Sequence, residues 1–347
     1  MKAIGFENFG PPDVLKLMEF KDPEPEEDEV VIRIKNTSLN RLDILVRSGK
    51  ARGTFDLPHI PGQDIVGTIE RLGKNVRLFS EGEFVVANNV WGCGSCDYCI
   101  SGNETMCPSW KAISIHSKGT YAELVKVKYT RLIRPPKELS SVELAAMILT
   151  YTATWRALVT LGNLNSNMTV LVWGASGGAG SFAVKIAKSF NAKVIATFGS
   201  EFKKSVLSKL NPDFMVNHNS DNIVKEILDF TNGKGVDLTF EIFSGQNLNK
   251  SIQLTKPGGK IIVLGVLQGA KSEIDVMQFY RRDIRIIGTH HSNNWEIKQA
   301  LEYAAKNNLK PLIMEVADIR NASYYHKLME ENRLYGKVVF DNSKLYE

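Results

Sequence analysis

The chain has 347 residues, 43% of them hydrophobic, enough for two buried cores, and the length suggests two domains. Its formal charge is +5, with 43 basic and 38 acidic residues intermingled, and no basic tract interleaves with aromatics, so nucleic acid is not an expected partner. No apolar run has the length of a membrane span and the N-terminal MKAIGFENFG lacks a leader-like stretch, so the expectation is a cytoplasmic protein without membrane association.

The first 140 residues carry short β patterns, VVIRIKNTSL, IVGTIERLG, EFVVANNV and YAELVKVK, punctuated by Gly, Pro and Asn. The acidic run Pro23–Glu29 reads as an exposed loop between two strands. Helical spacing begins at SSVELAAMILTYTATWRALV, with Ser140 or Ser141 as its cap. From Met168 strands alternate with helices: MTVLVWG, AKVIATF, FMVNH, VDLTFEIF, KIIVLGV and IRIIGTH are the strands of a parallel, doubly wound sheet, an α/β architecture. A long helix, WEIKQALEYAAKNN, then leads to a tail whose GKVVF is expected to rejoin the first domain.

GASGGAG, Gly174–Gly180, lies between a strand and a helix, which is the setting of a dinucleotide fingerprint. Gly177 lets backbone approach a pyrophosphate, Gly180 lets helix and strand pack closely, and the helix N-terminus offers free N–H groups to phosphate. Ala175 stands where the first glycine of the usual pattern would be, and Gly174 eases the turn. The second strand ends in Phe198 rather than an acid, followed by Ser200, Lys203 and Lys204. Without a carboxylate to hold a ribose 2′-hydroxyl, and with a hydroxyl and two ammonium groups nearby, NADP(H) is favoured over NAD(H). The cofactor set is Gly174, Ser176, Gly177, Gly178, Ala179, Ser200, Lys203, His218, Gly265, Val266 and His290.

All four cysteines, Cys93, Cys96, Cys99 and Cys107, fall in CGSCDYCISGNETMC. The C-x2-C-x2-C-x7-C spacing suits a closed tetrahedral thiolate shell, one structural Zn(II) per chain with no open position for chemistry. An iron–sulfur cluster is the alternative that the spacing leaves open.

CGSCDYCISGNETMC, GASGGAG and the pairing of LNRLDILVRSG with PHIPGQDIVG together resemble the medium-chain dehydrogenase/reductase superfamily, which includes zinc alcohol dehydrogenases and NADPH:quinone oxidoreductases. The resemblance covers essentially the whole chain. It implies a GroES-like β-rich catalytic domain at 1–150 and 291–347, with a zinc lobe at about 91–110, and a Rossmann domain at 151–290. It also implies a homodimer or homotetramer, with IRIIGTH pairing across a two-fold axis. His218 follows the third strand, where family members contact the adenosine end, and His290 lies where they approach the nicotinamide.

The departures from the family are specific. Its first catalytic-zinc ligand falls on Asn40, its histidine ligand on Gln63 within Gly62-Gln63-Asp64, its third ligand near Leu149 or Thr150, and its hydroxyl relay on Leu42. This donor set does not make a zinc site of the usual N/S kind, and His59 with Asp64 falls short of three ligands. The expected activity is therefore hydride transfer from NADPH to an activated C=C or quinone, in a small-molecule enone, quinone or enoyl substrate. Asn40, Gln63, Asp64 and Tyr151 are the candidate catalytic residues; Asn40, Gln63 and Tyr151 offer donors to the developing enolate. The competing expectations are a zinc-dependent alcohol or aldehyde dehydrogenase and a non-catalytic NADPH-binding protein.

Overall fold

The structure is a computed structural model that describes residues 1–346. The chain divides into two compact units, Met1–Leu149 with Ser292–Glu347, and Thr150–His291. In chain order the first unit contains β1 (Lys2–Gly5), β2 (Lys16–Glu19), β3 (Glu29–Ser38), α1 (Arg41–Arg47), β4 (Ile65–Leu72), β5 (Phe84–Ala87), β6 (Val90–Trp91), α2 (Asp97–Ile100), β7 (Lys111–Ala112), β8 (Leu124–Lys128), β9 (Leu132–Ile133) and α3 (Ser141–Met147). The second contains α4 (Thr150–Trp155), β10 (Thr169–Val172), α5 (Gly178–Ser189), β11 (Lys193–Phe198), α6 (Glu201–Ser208), β12 (Phe214–Asn217), α7 (Ile223–Phe230), β13 (Val236–Glu241), α8 (Asn247–Leu254), β14 (Thr255–Val263), α9 (Val276–Tyr280) and β15 (Arg285–Gly288). The chain then returns to the first unit with α10 (Asn294–Lys306), β16 (Ile313–Asp318), α11 (Ala322–Glu330) and β17 (Lys337–Asp341).

The hub of the first unit is β3. Its first half pairs with β8, its last three residues pair with β17, and β4 runs along it, all antiparallel. Alternation in VVIRI sends Val30, Ile32 and Ile34 into one core with Ile65, Ile69 and Val85, as the period of a half-buried strand requires. A second core gathers Phe6, Leu39, Val46, Ile60, Tyr121, Tyr325 and Phe340. The tail expected to rejoin this domain does so through β17. Ser140 caps α3 with a capping box: its hydroxyl accepts the Glu143 N–H at 3.3 Å, and the Glu143 carboxylate accepts the Ser140 N–H at 2.8 Å.

The second unit is built on a six-stranded, wholly parallel sheet of order β12-β11-β10-β13-β14-β15. The order reverses between β10 and β13, the place where doubly wound sheets open a ligand crevice at their strand C-termini. The glycine loop leaves β10 at that point. Among the described residues no single helix is long and apolar enough to cross a membrane.

Candidate active site and cofactor-binding residues

Four segments of the first unit converge at the end of β3. Pairing of β17 with β3, Val339 opposite Ser38, carries Lys337 alongside Leu39 and Asn40. The Lys337 ammonium donates to Asn40 Oδ1 at 2.7 Å and to the Leu39 carbonyl at 3.0 Å. Asn40 Nδ2 donates to Asp64 Oδ2 at 2.7 Å and, less closely, to the Ser38 carbonyl at 3.3 Å; Ser38 Oγ donates to the same Asp64 oxygen at 2.7 Å. Ser38, Asn40, Asp64 and Lys337 are all buried. Burial raises the Asp64 pKa and lowers that of Lys337, each opposed by the other's charge.

Asp43, on the first turn of α1, completes the cluster. Its Oδ2 accepts the Asn40 N–H at 2.8 Å and the Tyr121 hydroxyl at 3.3 Å. Burial, reinforced by the nearby Asp64, pushes its carboxyl up to about 7 against the pull of the Asn40 N–H, Lys337 and Tyr121. The cluster thus holds two buried carboxyl groups and one buried ammonium.

Asn40 was expected to offer its amide to a reacting oxygen. The structure commits that amide elsewhere: its oxygen is taken by Lys337, and its nitrogen faces Asp64 and Ser38. A buried ammonium and a buried carboxylate both demand partners, and the amide between them satisfies both. Gln63 is different. Its Oε1 accepts from Asn89 Nδ2 at 2.8 Å, while its Nε2 is buried without a hydrogen bond. Gln63 is therefore the amide with N–H groups left for a ligand.

The sites implied for a catalytic metal do not fit one. An ammonium 2.7 Å from Asn40 Oδ1 opposes any further cation there. His59 is a packed residue: Nε2 meets the Ser114 carbonyl at 3.1 Å, and the ring lies 5.6 Å from Phe6 and 5.3 Å from Phe55, centroid to centroid. Among the described residues, the one group of three or more Cys, His, Asp or Glu side chains arranged to hold a metal is the cysteine set.

That set does fit zinc. The four ligand sulfurs lie within 4.8 Å of one another, and Cys93 Sγ is 4.0 Å from Cys99 Sγ. Tetrahedral coordination with Zn–S bonds of about 2.3 Å asks for sulfurs roughly 3.8 Å apart. The Cys93 N–H points at Cys107 Sγ, 3.3 Å away. Gly92 backs the cradle closely, for a Cβ there would lie 2.4 Å from Cys99 Sγ.

In the second unit the glycine loop is tied to the end of β11: the Gly174 N–H donates to Thr197 Oγ1 at 3.0 Å, and the Ala175 N–H to the Thr197 carbonyl at 3.1 Å. Gly177 caps α5, and Gly178 and Ala179 form its first turn. Gly180 must be glycine, because a Cβ would stand 2.2 Å from the Gly174 oxygen and 2.7 Å from Ala175 Cα. Ser176 is buried within the loop.

Around Phe198 the residues expected to read the ribose sort themselves. Ser200 caps α6, its hydroxyl accepting the Lys203 N–H at 3.3 Å. Lys204 lies on the exposed helix face, 3.5 Å from Glu201 and 5.6 Å from the Phe198 ring centroid. Lys203 is half-buried, and burial lowers its pKa. His218 leans over Gly199, with Nε2 2.7 Å from where a Cβ would be, and its buried Nδ1 has no hydrogen bond. Its pKa falls to about 4, through burial and then the positive charges of Lys203 and Lys250. An orphaned ring nitrogen, a desolvated ammonium and a hydroxyl are a fitting environment for a phosphate.

The remaining predicted residues are dispersed. Gly265 accepts from Ser244 Oγ at 2.8 Å, Val266 is exposed, and His290 is exposed with its ring against His291. Tyr151 is fully buried on α4, its ring packed on Phe182 and Trp155. Lys337, Ser38, Asn89 and Tyr121 were not anticipated; Lys337 is preceded by glycine and followed by Val-Val-Phe, and nothing in that pattern shows where the charge goes.

Comparison with known proteins places the chain. A model described as alcohol dehydrogenase GroES-like domain matches residues 26–137, and one described as zinc-binding dehydrogenase matches 178–306. The acryloyl-coenzyme A reductase of Sulfurisphaera tokodaii is 29% identical over 348 residues, covering 98% of this chain and 99% of that protein. The quinone oxidoreductase of Homo sapiens is 28% identical over 266 residues, 76% of this chain and 73% of that one. A solved structure of an NAD-dependent alcohol dehydrogenase matches with a TM-score of 0.92 at 34% identity, covering 98% of this chain and 99% of its own. The chain belongs to the zinc-binding dehydrogenases of the medium-chain dehydrogenase/reductase superfamily, a GroES-like domain joined to a Rossmann domain, and is an oxidoreductase.

Proposed function

We propose that the protein is an NADPH-dependent reductase of carbon–carbon double bonds conjugated to a carbonyl, acting on enones, quinones or enoyl thioesters. The observation that carries this reading is the Lys337–Asn40–Asp64 hydrogen-bond cluster, which occupies the amide of Asn40, the position that the family resemblance gives to the first catalytic-zinc ligand. Reduction of a simple ketone leans on a Lewis acid, whereas a conjugated alkene requires less electrophilic help. The bound nicotinamide supplies the hydride. The chain's part is to accept charge on the carbonyl oxygen, for which Gln63 Nε2 is the available donor, and to provide one proton for each hydride. Relatives named acryloyl-coenzyme A reductase and quinone oxidoreductase support this class of substrate.

The preference for NADP(H) rests on Ser200, Lys203 and His218 beside Phe198. One zinc per chain, held by the four cysteines, serves the lobe rather than the reaction. The half-buried edge strand β15, with Ile286 and Ile287, is the surface we assign to homodimer pairing, and the cytoplasm is the compartment we assign. A second reading, oxidation of simple alcohols with NAD, is favoured by the 34% identical solved dehydrogenase. A substrate panel on metal-analysed protein separates the two. Enone, quinone or enoyl-thioester reduction that survives chelation, with one zinc per chain, is the expected result. Alcohol oxidation abolished by chelation and restored by a second zinc overturns it.

A further inference from the structure

We propose that Asp43, Tyr121 and His326 form a hydrogen-bond line that passes a proton between helix α11 and the buried carboxyl cluster. Its use in turnover rests on the reductase reading; its existence does not. The Tyr121 hydroxyl is fully buried, 3.3 Å from Asp43 Oδ2 and 3.2 Å from His326 Nε2. A phenol has one hydrogen and serves one of these neighbours as donor at a time. With Asp43 ionised, Tyr121 donates to the carboxylate and His326 Nε2–H donates to the phenol oxygen. With Asp43 protonated, Asp43 donates to the phenol oxygen and Tyr121 donates to His326 Nε2, whose hydrogen now sits on Nδ1. Both arrangements satisfy the Tyr121 hydroxyl, Asp43 Oδ2 and His326 Nε2. His326 Nδ1 is buried and bonds to no described residue, so no local partner fixes the tautomer.

The step between the two states balances. For each proton delivered to His326 Nδ1, the Nε2 proton passes to the Tyr121 oxygen and the phenolic proton passes to Asp43. One proton enters and both intermediaries end neutral. The flanking groups favour this over an imidazolium. α1 presents Asp43 and Arg47 four residues apart, α11 presents His326 and Glu330 four residues apart, and Arg47 ion-pairs with the partly exposed Glu330. Burial and the Arg47 charge keep His326 neutral. On the other side Asp43 faces Asp64 and Lys337, so one added proton takes two carboxylates and one ammonium from net negative to neutral. Leu42 occupies the place that the resemblance gives to the family's hydroxyl relay, and reduction of a double bond consumes one proton per hydride; on the reductase reading, this line holds that proton at Asp43.

The test uses the full-length, zinc-loaded protein with ring-15N histidine. His326 is assigned by its loss in His326→Gln, and its tautomer is followed by long-range 1H–15N NMR from pH 5 to 9. The expected result is a tautomer exchange with a midpoint near neutrality and no imidazolium signal, abolished in Tyr121→Phe, which keeps the ring and removes the hydroxyl. An unchanging tautomer in the wild type, or the same exchange in Tyr121→Phe, overturns the proposal. In the kinetic arm, reduction of a simple enone by NADPH should slow about a hundredfold in kcat in Tyr121→Phe, with KM little changed and a larger solvent deuterium effect. A wild type that reduces no enone overturns the reductase reading instead, and the NMR result still decides whether the line exists.

Discussion

Asp43→Asn isolates the energetics of one buried carboxyl. That group is pushed up to about 7 in the folded chain from an ordinary value of 3.8. The folded state then holds a proton that the unfolded chain releases, so the stability this group contributes is complete below about pH 4 and is lost as pH rises through 7. About three units at 1.36 kcal/mol each give a full swing of about 4 kcal/mol, of which roughly 2–3 kcal/mol falls between pH 5 and pH 8. Asparagine keeps an acceptor oxygen for the Asn40 N–H and the Tyr121 hydroxyl but cannot ionise. Urea unfolding of both proteins at pH 5, 6, 7 and 8 cancels the titrations not coupled to Asp43. The wild type should lose about 2–3 kcal/mol more than Asp43→Asn across this range. Parallel losses in the two proteins would refute the assignment of a near-neutral proton to Asp43.

Three other outcomes follow from named contacts. Cys96→Ser should release zinc and lower the melting temperature, since metal binding in such a lobe is coupled to folding; unchanged zinc content by elemental analysis, with an unchanged melt, counts against a structural site. Lys203→Ala should weaken NADPH binding by roughly ten- to a hundredfold and leave NADH binding nearly unchanged, because a charge-assisted phosphate contact contributes about 1.5–3 kcal/mol; titrations showing equal losses for both cofactors end the specificity argument. Gln63→Met, similar in size but without N–H donors, should reduce kcat for an enone by about a hundredfold. Wild-type rates in that variant remove Gln63 from the reaction.

The Rossmann unit was readable because each of its signals is local. Six apolar runs punctuated by helices became six parallel strands, and GASGGAG landed at the point where the strand order reverses. The cysteine lobe was readable for the same reason, since all four cysteines lie within one short segment. The candidate cluster around Asn40 was legible only in part. Asn40, Gln63 and Asp64 could be found because they stand at family positions, but their chemistry depends on a lysine that arrives on β17. No local pattern reveals that Lys337 reaches Asn40, because strand pairing 297 residues apart in sequence sets that contact. Tyr151 became a candidate through proximity in sequence to a lost ligand, and the structure packs its ring against Phe182 and Trp155.

The return of β17 to β3 has a bearing on how the chain acquires its structure. Asn36 Nδ2 bonds to the Phe340 carbonyl across 304 positions of sequence, and the whole second unit lies within that interval. The second unit is continuous, and its sheet closes over comparatively short spans, so it is suited to form early. The first unit cannot complete its sheet until β17 has been synthesised, and its loop closure spans nearly the entire chain. Until then the end of β3 lacks its partner strand, and Asp64 and Asp43 face each other without the lysine that balances them. A nascent chain would thus carry an open sheet margin and two uncompensated acids for most of its synthesis, a window in which helper proteins or slow translation would matter more to this unit than to the other.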